Sequence, residues 1–116
     1  MADLAKAGSL ATIALGLGQA LAPRATGRAF GLAELDGQAV WLARLLGASN
    51  IALGSIGLDP DVRAKVQPTT YAVLAGHAAS TLTSGRSGGI PKRTAGLVLG
   101  FVAALAAADV AAGRAA

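Results

Sequence analysis

Four apolar runs divide the chain, and most of the charged residues lie between them. The runs cover residues 4–22, 40–58, 69–84 and 94–112. About 20 apolar residues are needed for a helix to cross the hydrocarbon core of a bilayer, so three of these runs are long enough. The third run is shorter and rich in Ser and Thr. The pattern predicts a single all-α domain over residues 1–116, built as a four-helix transmembrane bundle.

Proline marks the borders of these runs. Pro23 follows the first run, Pro60 follows the second, and Pro68 and Pro91 precede the third and the fourth. Because proline breaks a helix interior but is tolerated at a helix start, we expect no span to be interrupted by proline. Pro23 also follows the small-residue segment Ala20-Leu21-Ala22, where it disfavours signal-peptide cleavage. The first run is therefore predicted to remain a helix of the mature chain.

Composition indicates an outer surface that faces lipid. Hydrophobic residues make up 53% of the chain and charged residues 14%, whereas soluble domains carry about 25% charged residues. A soluble bundle would also need a polar stripe along each helix. Sixteen glycines weaken helices in water but allow close helix packing in a bilayer. We predict an integral membrane protein of the bacterial cytoplasmic membrane, with membrane lipids as partners.

Basic residues are slightly more frequent on one side of the predicted bundle. The first and third loops contain Arg24, Arg28, Arg86, Lys92 and Arg93, and Arg44 lies just inside the second helix. The opposite side contains Lys6, Arg63, Lys65 and Arg114. The positive-inside rule then predicts cytoplasmic first and third loops and external termini.

Several kinds of chemistry are excluded by residue usage. The chain has no Cys and one His, which leaves no disulfide, no thiol catalysis and no conventional zinc site. We predict no metal and no cofactor. The net charge is +4, but the basic residues are scattered over loops and ends. This distribution favours contact with anionic lipid head groups over binding of nucleic acid.

Small residues recur at three- and four-residue intervals on the predicted helices. The second helix has the longest series, which comprises Arg44, Gly47, Asn50, Gly54 and Gly57. The fourth helix has a Gly-x-x-x-Gly pattern at Gly96 and Gly100. Such faces allow close approach of helices, so we expect them to pack inside the bundle. They would also suit a homo-oligomer or a partner membrane subunit.

Five polar residues within the spans are the candidate site. Thr12, Asn50 and His77 fall near the middle of their helices, and Gln19 and Arg44 fall nearer the first and third loops. A polar or ionisable residue in the hydrocarbon layer is costly unless it has a partner, and it is by default a functional hypothesis. We predict that these five residues bind a ligand. His77, Asn50 and Arg44 are the catalytic candidates.

Each candidate also has a structural interpretation. A neutral His77 could transfer a proton or bind a polar ligand group beside Asn50, or it could simply join two helices through Asn50 or Ser80. Arg44 could contact Gln19 or the acidic residues of the first loop, Glu34 and Asp36. It could instead extend toward the lipid head groups.

The first half of the chain resembles a known group of membrane proteins. The stretches Leu15–Arg24, Phe30–Leu32 and Arg44–Gly54 are similar to small four-helix membrane proteins of a domain-of-unknown-function family, distantly like the DoxX-type proteins. Arg44 and Gly47 match the family's Arg-x-x-Gly element. The family often has an acidic residue on its third helix, where this chain has His77. The resemblance implies the four-helix architecture and supplies no reaction.

Three functions remain open from the sequence. The first is a protein without enzymatic activity that packs with itself or with a partner subunit, or binds a lipophilic small molecule. The second is a small membrane enzyme, such as an isomerase or cyclase, in which His77 transfers a proton with Asn50 or Arg44. The third is a small transport or permeation unit lined by the second helix.

Overall fold

The computed structural model describes the backbone of residues 2–115 and the side chains of residues 3–112. Within that range it contains five helices and no strand, so the all-α prediction is confirmed. The helices are α1 (Ala2–Leu21), α2 (Pro23–Ala29), α3 (Gly37–Gly57), α4 (Pro60–Ser87) and α5 (Lys92–Ala115). The side chain of Arg114, which contributes to the topology prediction, lies outside the described residues.

Two aspartates cap the first turns of α3 and α4. The Asp36 carboxylate accepts a hydrogen bond from the Ala39 amide at 2.8 Å, which caps α3. The Asp59 carboxylate accepts from the amides of Asp61 and Val62, which caps α4. A side-chain acceptor at this position satisfies amides that have no partner within the first turn of a helix.

The prediction that no helix is interrupted by proline is wrong for Pro68. The sequence pattern predicts that the third apolar helix starts at Thr69. In the structure this helix is α4, which starts at Pro60 and continues through Pro68. The Asp59 cap, together with a proline in the first turn, starts the helix early. Pro68 removes one amide donor and leaves the carbonyl of Ala64 without its helical partner.

The first loop contains a short helix that the sequence pattern did not predict. α2 ends in a Schellman motif, in which the Leu32 amide donates to the Gly27 carbonyl and the Gly31 amide donates to the Arg28 carbonyl. Gly31 has φ +81°, a left-handed conformation that glycine adopts without strain. This turn directs Phe30 and Leu32 back toward the long helices.

Three helices are long and apolar enough to cross a membrane by length and composition. They cover Asp3–Leu21, Gly37–Gly57 and Lys92–Ala112, with mean hydropathies of 1.2, 1.4 and 2.0. Their large side chains point outward: Leu21 is 79% exposed and Trp41 is 61% exposed. An apolar surface of this extent is typical of contact with lipid.

The helices pack most closely where α1 meets α3. A Cβ atom added to Gly16 would lie 2.6 Å from the Gly47 carbonyl oxygen, and one added to Gly54 would lie 2.7 Å from the Ser9 carbonyl oxygen. The two backbones therefore touch, as the small residues of the second predicted helix imply.

The Gly-x-x-x-Gly of α5 behaves differently from the glycines of α3. A Cβ atom added to Gly96 or to Gly100 would meet nothing within 4 Å. Both glycines are exposed, so the expectation that they pack inside the bundle is wrong for the single chain. They lie on an outward face of α5.

Candidate functional site

A partly open cavity of about 620 Å³ lies between the helices, and all five of them contribute to its wall. It extends along α5 from Thr94 to Asp109. At 1.5 Å per residue this corresponds to about 22 Å of helix. The cavity is therefore elongated, and its long dimension follows the axis of α5.

Most of the cavity wall is hydrocarbon. Leu42 and Leu46 of α3 line it, as do Val73 of α4 and Phe101 and Leu105 of α5. The wall also includes Leu32 and Leu35 of the first loop, which the Schellman turn after α2 brings against the long helices. A cavity with this lining favours an apolar occupant over water.

The sequence-predicted polar residues Thr12, Gln19, Asn50 and His77 all line this cavity. Arg44 does not line it; its side chain is exposed on the outside of α3. The structure thus brings four of the five ligand-binding candidates together and leaves the fifth outside. Their role in binding stays a prediction.

Gln19 and Asn50 form the polar centre of the cavity. The Asn50 Nδ2 amide donates a hydrogen bond to Gln19 Oε1 at 2.7 Å and joins α3 to α1. Asn50 is 7% exposed, which makes it one of the most buried polar residues described. This bond replaces two expected contacts, between Asn50 and His77 and between Arg44 and Gln19.

His77 lies on the opposite wall, on α4, and is half-buried. Its backbone carbonyl accepts a hydrogen bond from the Thr81 hydroxyl at 2.6 Å. Among residues 3–112 its ring forms no hydrogen bond, either to Asn50 or to Ser80. A neutral imidazole carries one donor and one acceptor nitrogen, so this ring has unused hydrogen-bonding capacity at the cavity wall.

Thr12 contributes less polarity than its position implies. Its hydroxyl donates to the Gly8 carbonyl at 2.9 Å, within its own helix. The donor of the hydroxyl is therefore already used, and the side chain presents mainly its methyl group and a weak acceptor.

Two charged residues of the cavity wall were not among the predicted site residues. Arg63 of α4 and Asp109 of α5 both line the cavity and carry opposite formal charges. The Arg63 guanidinium also donates to the Gly57 carbonyl at 3.4 Å. Arg63 falls in a segment that the sequence pattern assigned to a loop, which is why it was overlooked.

Thr94, at the other end of the cavity, is 3% exposed. Its hydroxyl oxygen is buried without a hydrogen-bond partner among the described residues, near the backbone of Gly31. Nothing in the structure explains this unsatisfied hydroxyl.

A second cavity of about 480 Å³ opens between α3 and α4. Five residues line both cavities: Leu46, Asn50, Leu53, Val73 and His77. The contact between α3 and α4 is much smaller than that between α1 and α3. The inter-helix cavity therefore adjoins a gap on the side of the protein.

Within the described residues, no group of three or more His, Cys, Asp or Glu side chains is arranged to hold a metal ion. Comparison with protein-family models, with curated proteins and with solved structures finds no match for this chain. The resemblance to DoxX-like four-helix proteins thus stays a prediction, and the functional argument rests on the geometry of the cavity.

Proposed function

We propose that this protein binds a lipophilic small molecule in the cavity between its helices. The observation that carries the proposal is the cavity itself: about 620 Å³, walled by Leu, Val and Phe side chains, with hydrogen-bonding side chains at its centre. Ligand sites are commonly clefts of about 300–1,000 Å³ with a mainly apolar wall and a few polar groups.

In this proposal the chain crosses the membrane four times, with α4 as the fourth spanning helix beside α1, α3 and α5. α4 is more polar than the other three, and it places His77, Thr70 and Arg63 on the cavity wall. A polar helix is tolerated in a membrane when its polar residues face the interior of the protein. The bacterial cytoplasmic membrane remains the expected location.

The gap between α3 and α4 gives the ligand a lateral route from the bilayer. A lipophilic molecule is concentrated in the hydrocarbon layer, so entry from the side avoids transfer through water. The gap is lined by Leu46, Leu53 and Val73 at its apolar edges and leads directly to Asn50 and His77. The ligand would thus meet the polar centre soon after it leaves the lipid.

Filling the cavity from within tests the proposal. Ala43 of α3 lines the cavity, whereas Ala48 of the same helix is exposed and lines neither cavity. Wild-type protein, Ala43→Trp and Ala48→Trp would be purified in mild detergent. Co-purifying lipophilic molecules would then be counted by native mass spectrometry.

We expect wild-type protein and Ala48→Trp to retain a bound lipophile and Ala43→Trp to lose it. Equal retention by both Trp variants would contradict binding in this cavity. A wild-type protein that carries no lipophile, and takes up none when lipid extract is added, would contradict the proposal as a whole. Circular dichroism would check that both variants are as helical as wild type.

A second candidate function is proton transfer on the bound molecule, as in an isomerase. The free ring of His77 on the wall of both cavities favours it, because a neutral imidazole can give and accept a proton. In that case His77→Gln would abolish turnover of the bound molecule while its binding persists. If the wild-type protein returns the molecule unchanged, the role is binding alone.

A further inference from the structure

The hydrogen bond between Gln19 and Asn50 engages one of the two polar atoms of each side-chain amide. Asn50 donates through Nδ2 and Gln19 accepts through Oε1. Asn50 Oδ1 and Gln19 Nε2 form no side-chain hydrogen bond among the described residues. If the oxygen and nitrogen positions were exchanged in both amides, Gln19 would donate to Asn50 instead. One oxygen acceptor and one NH₂ donor would still remain free.

Both free atoms remain accessible. Of the buried side-chain polar atoms in residues 3–112, Thr94 Oγ1 is the one that is sealed off without a partner. Asn50 Oδ1 and Gln19 Nε2 therefore retain contact with open space, although Asn50 as a whole is 93% buried, being 7% exposed. Since both residues line the inter-helix cavity, one acceptor and one donor lie side by side at its centre.

The formal charges on the cavity wall sum to zero. Of the described Arg, Lys, Asp and Glu residues, one cation, Arg63, and one anion, Asp109, line it. An ionised head group would lose its hydration on entry without meeting a net opposite charge, which is unfavourable in a low-dielectric site.

We infer that the ligand is an uncharged long-chain alcohol whose hydroxyl group is bound by the Gln19–Asn50 amide pair. A hydroxyl both donates and accepts, so it can donate to Asn50 Oδ1 and accept from Gln19 Nε2 at once. A carboxylate has no proton to donate to Asn50, and a hydrocarbon leaves both amide groups unsatisfied. The inference rests on the proposed binding function and specifies the chemical class of the ligand.

The length of the cavity agrees with an extended chain. The cavity follows about 22 Å of helix, between Thr94 and Asp109, so an extended alkyl or isoprenyl chain can run parallel to the helices. Its walls of Leu46, Val73 and Leu105 supply the apolar contacts.

Three probes of equal chain length separate the possibilities: hexadecanol, hexadecane, and hexadecanoate in alkaline buffer, where it is ionised. Binding of each deuterated probe to delipidated full-length protein in micelles would be measured by native mass spectrometry. The variant is the double substitution Gln19→Met with Asn50→Leu. It removes both amides, so neither remains in the wall without a hydrogen-bond partner. Ser55→Ala is the control, because Ser55 is an exposed hydroxyl on α3 that lines neither cavity.

We expect wild-type protein and Ser55→Ala to bind hexadecanol roughly ten-fold more tightly than hexadecane, as two modest hydrogen bonds would give. The double variant should bind the two probes equally. A preference for hexadecanoate, no preference between alcohol and hydrocarbon in wild type, or a preference that persists in the double variant would overturn the inference, while lipophile binding would stand. If none of the three probes binds wild-type protein, the proposed binding function fails as well.

Discussion

Helix α3 meets its two neighbours in opposite ways. Toward α1 it presents Gly47 and Gly54, and the two backbones come into direct contact. Toward α4 it presents Leu46 and Leu53, and a cavity and a lateral gap separate the helices. One helix thus closes one interface with its smallest residues and holds another open with its larger ones. Packing in this protein depends on which face carries glycine, since lipid provides no hydrophobic force between helices.

The largest effect is expected from Gly47→Ala, which would break the closed interface. The new Cβ atom would lie 2.6 Å from the Gly16 carbonyl oxygen and 2.7 Å from the Ala20 amide nitrogen, both of them backbone atoms. Overpacking typically costs about 1–3 kcal/mol and exceeds the gain in helix propensity of at most about 1 kcal/mol. Loss of helicity during titration with a denaturing detergent would measure the change. Unchanged stability would show that α1 and α3 are not in backbone contact.

Asn50→Leu should have the next largest effect, because it acts on the one side-chain hydrogen bond that links α1 to α3 among the described residues. Gln19 would remain in the cavity wall without its donor, at a cost of about 1–2 kcal/mol. Adding Gln19→Met to the same chain should recover most of that loss. The same detergent titration would report both values. A double variant no more stable than the single one would mean that the amide pair contributes little.

A smaller effect is expected from Asp59→Ala at the start of α4. Because α4 has little contact with α3, its beginning depends on local hydrogen bonds to Asp59. Loss of a helix cap costs about 1 kcal/mol. Hydrogen exchange should become faster at the amides of Asp61 and Val62. Asp59→Asn keeps an acceptor and should behave as wild type; equal exchange in all three proteins would exclude a role for the cap.

The smallest effect is expected from Gly100→Ala on the outward face of α5. Nothing lies within 4 Å of the added Cβ atom, so the substitution should raise stability by at most about 1 kcal/mol through helix propensity. It is the matched counterpart of Gly47→Ala. A clear loss of stability, or a change in oligomeric state on size-exclusion chromatography, would show that this face contacts another chain in the membrane.

α1, α3 and α5 could be predicted from the sequence because their apolar runs are uninterrupted. The grouping of Thr12, Asn50 and His77 on one cavity could also be predicted, since their depth in the membrane places them near one another. The same reasoning places Gln19 nearer the first loop, although it contacts Asn50. Both predictions depend on the spacing of residues along one helix, and this spacing can be read from the sequence.

What could not be predicted depended on competition between local signals or on rotation of one helix against another. At Pro68 the sequence pattern predicts a helix boundary. Because the Asp59 cap starts α4 at Pro60, Pro68 lies inside the helix instead. The partner of Asn50 proved to be Gln19 rather than His77, because the close α1–α3 contact brings that side chain within reach. Whether Gly100 faces a neighbour or lipid depends on the rotation of α5 about its axis, which spacing alone does not determine.

The polarity of α4 also bears on how the chain enters the membrane during synthesis. α1 and α3 leave the ribosome first, and each is long and apolar enough by composition to cross a membrane. Among the described helices, α4 is not one of the three that are apolar enough to cross a membrane. α5, which is synthesised after α4, has the highest mean hydropathy, 2.0. If the chain crosses four times, α4 must wait at the translocon until α5 follows and the two insert as a hairpin. Truncation before α5 should then leave α4 outside the bilayer, accessible to protease.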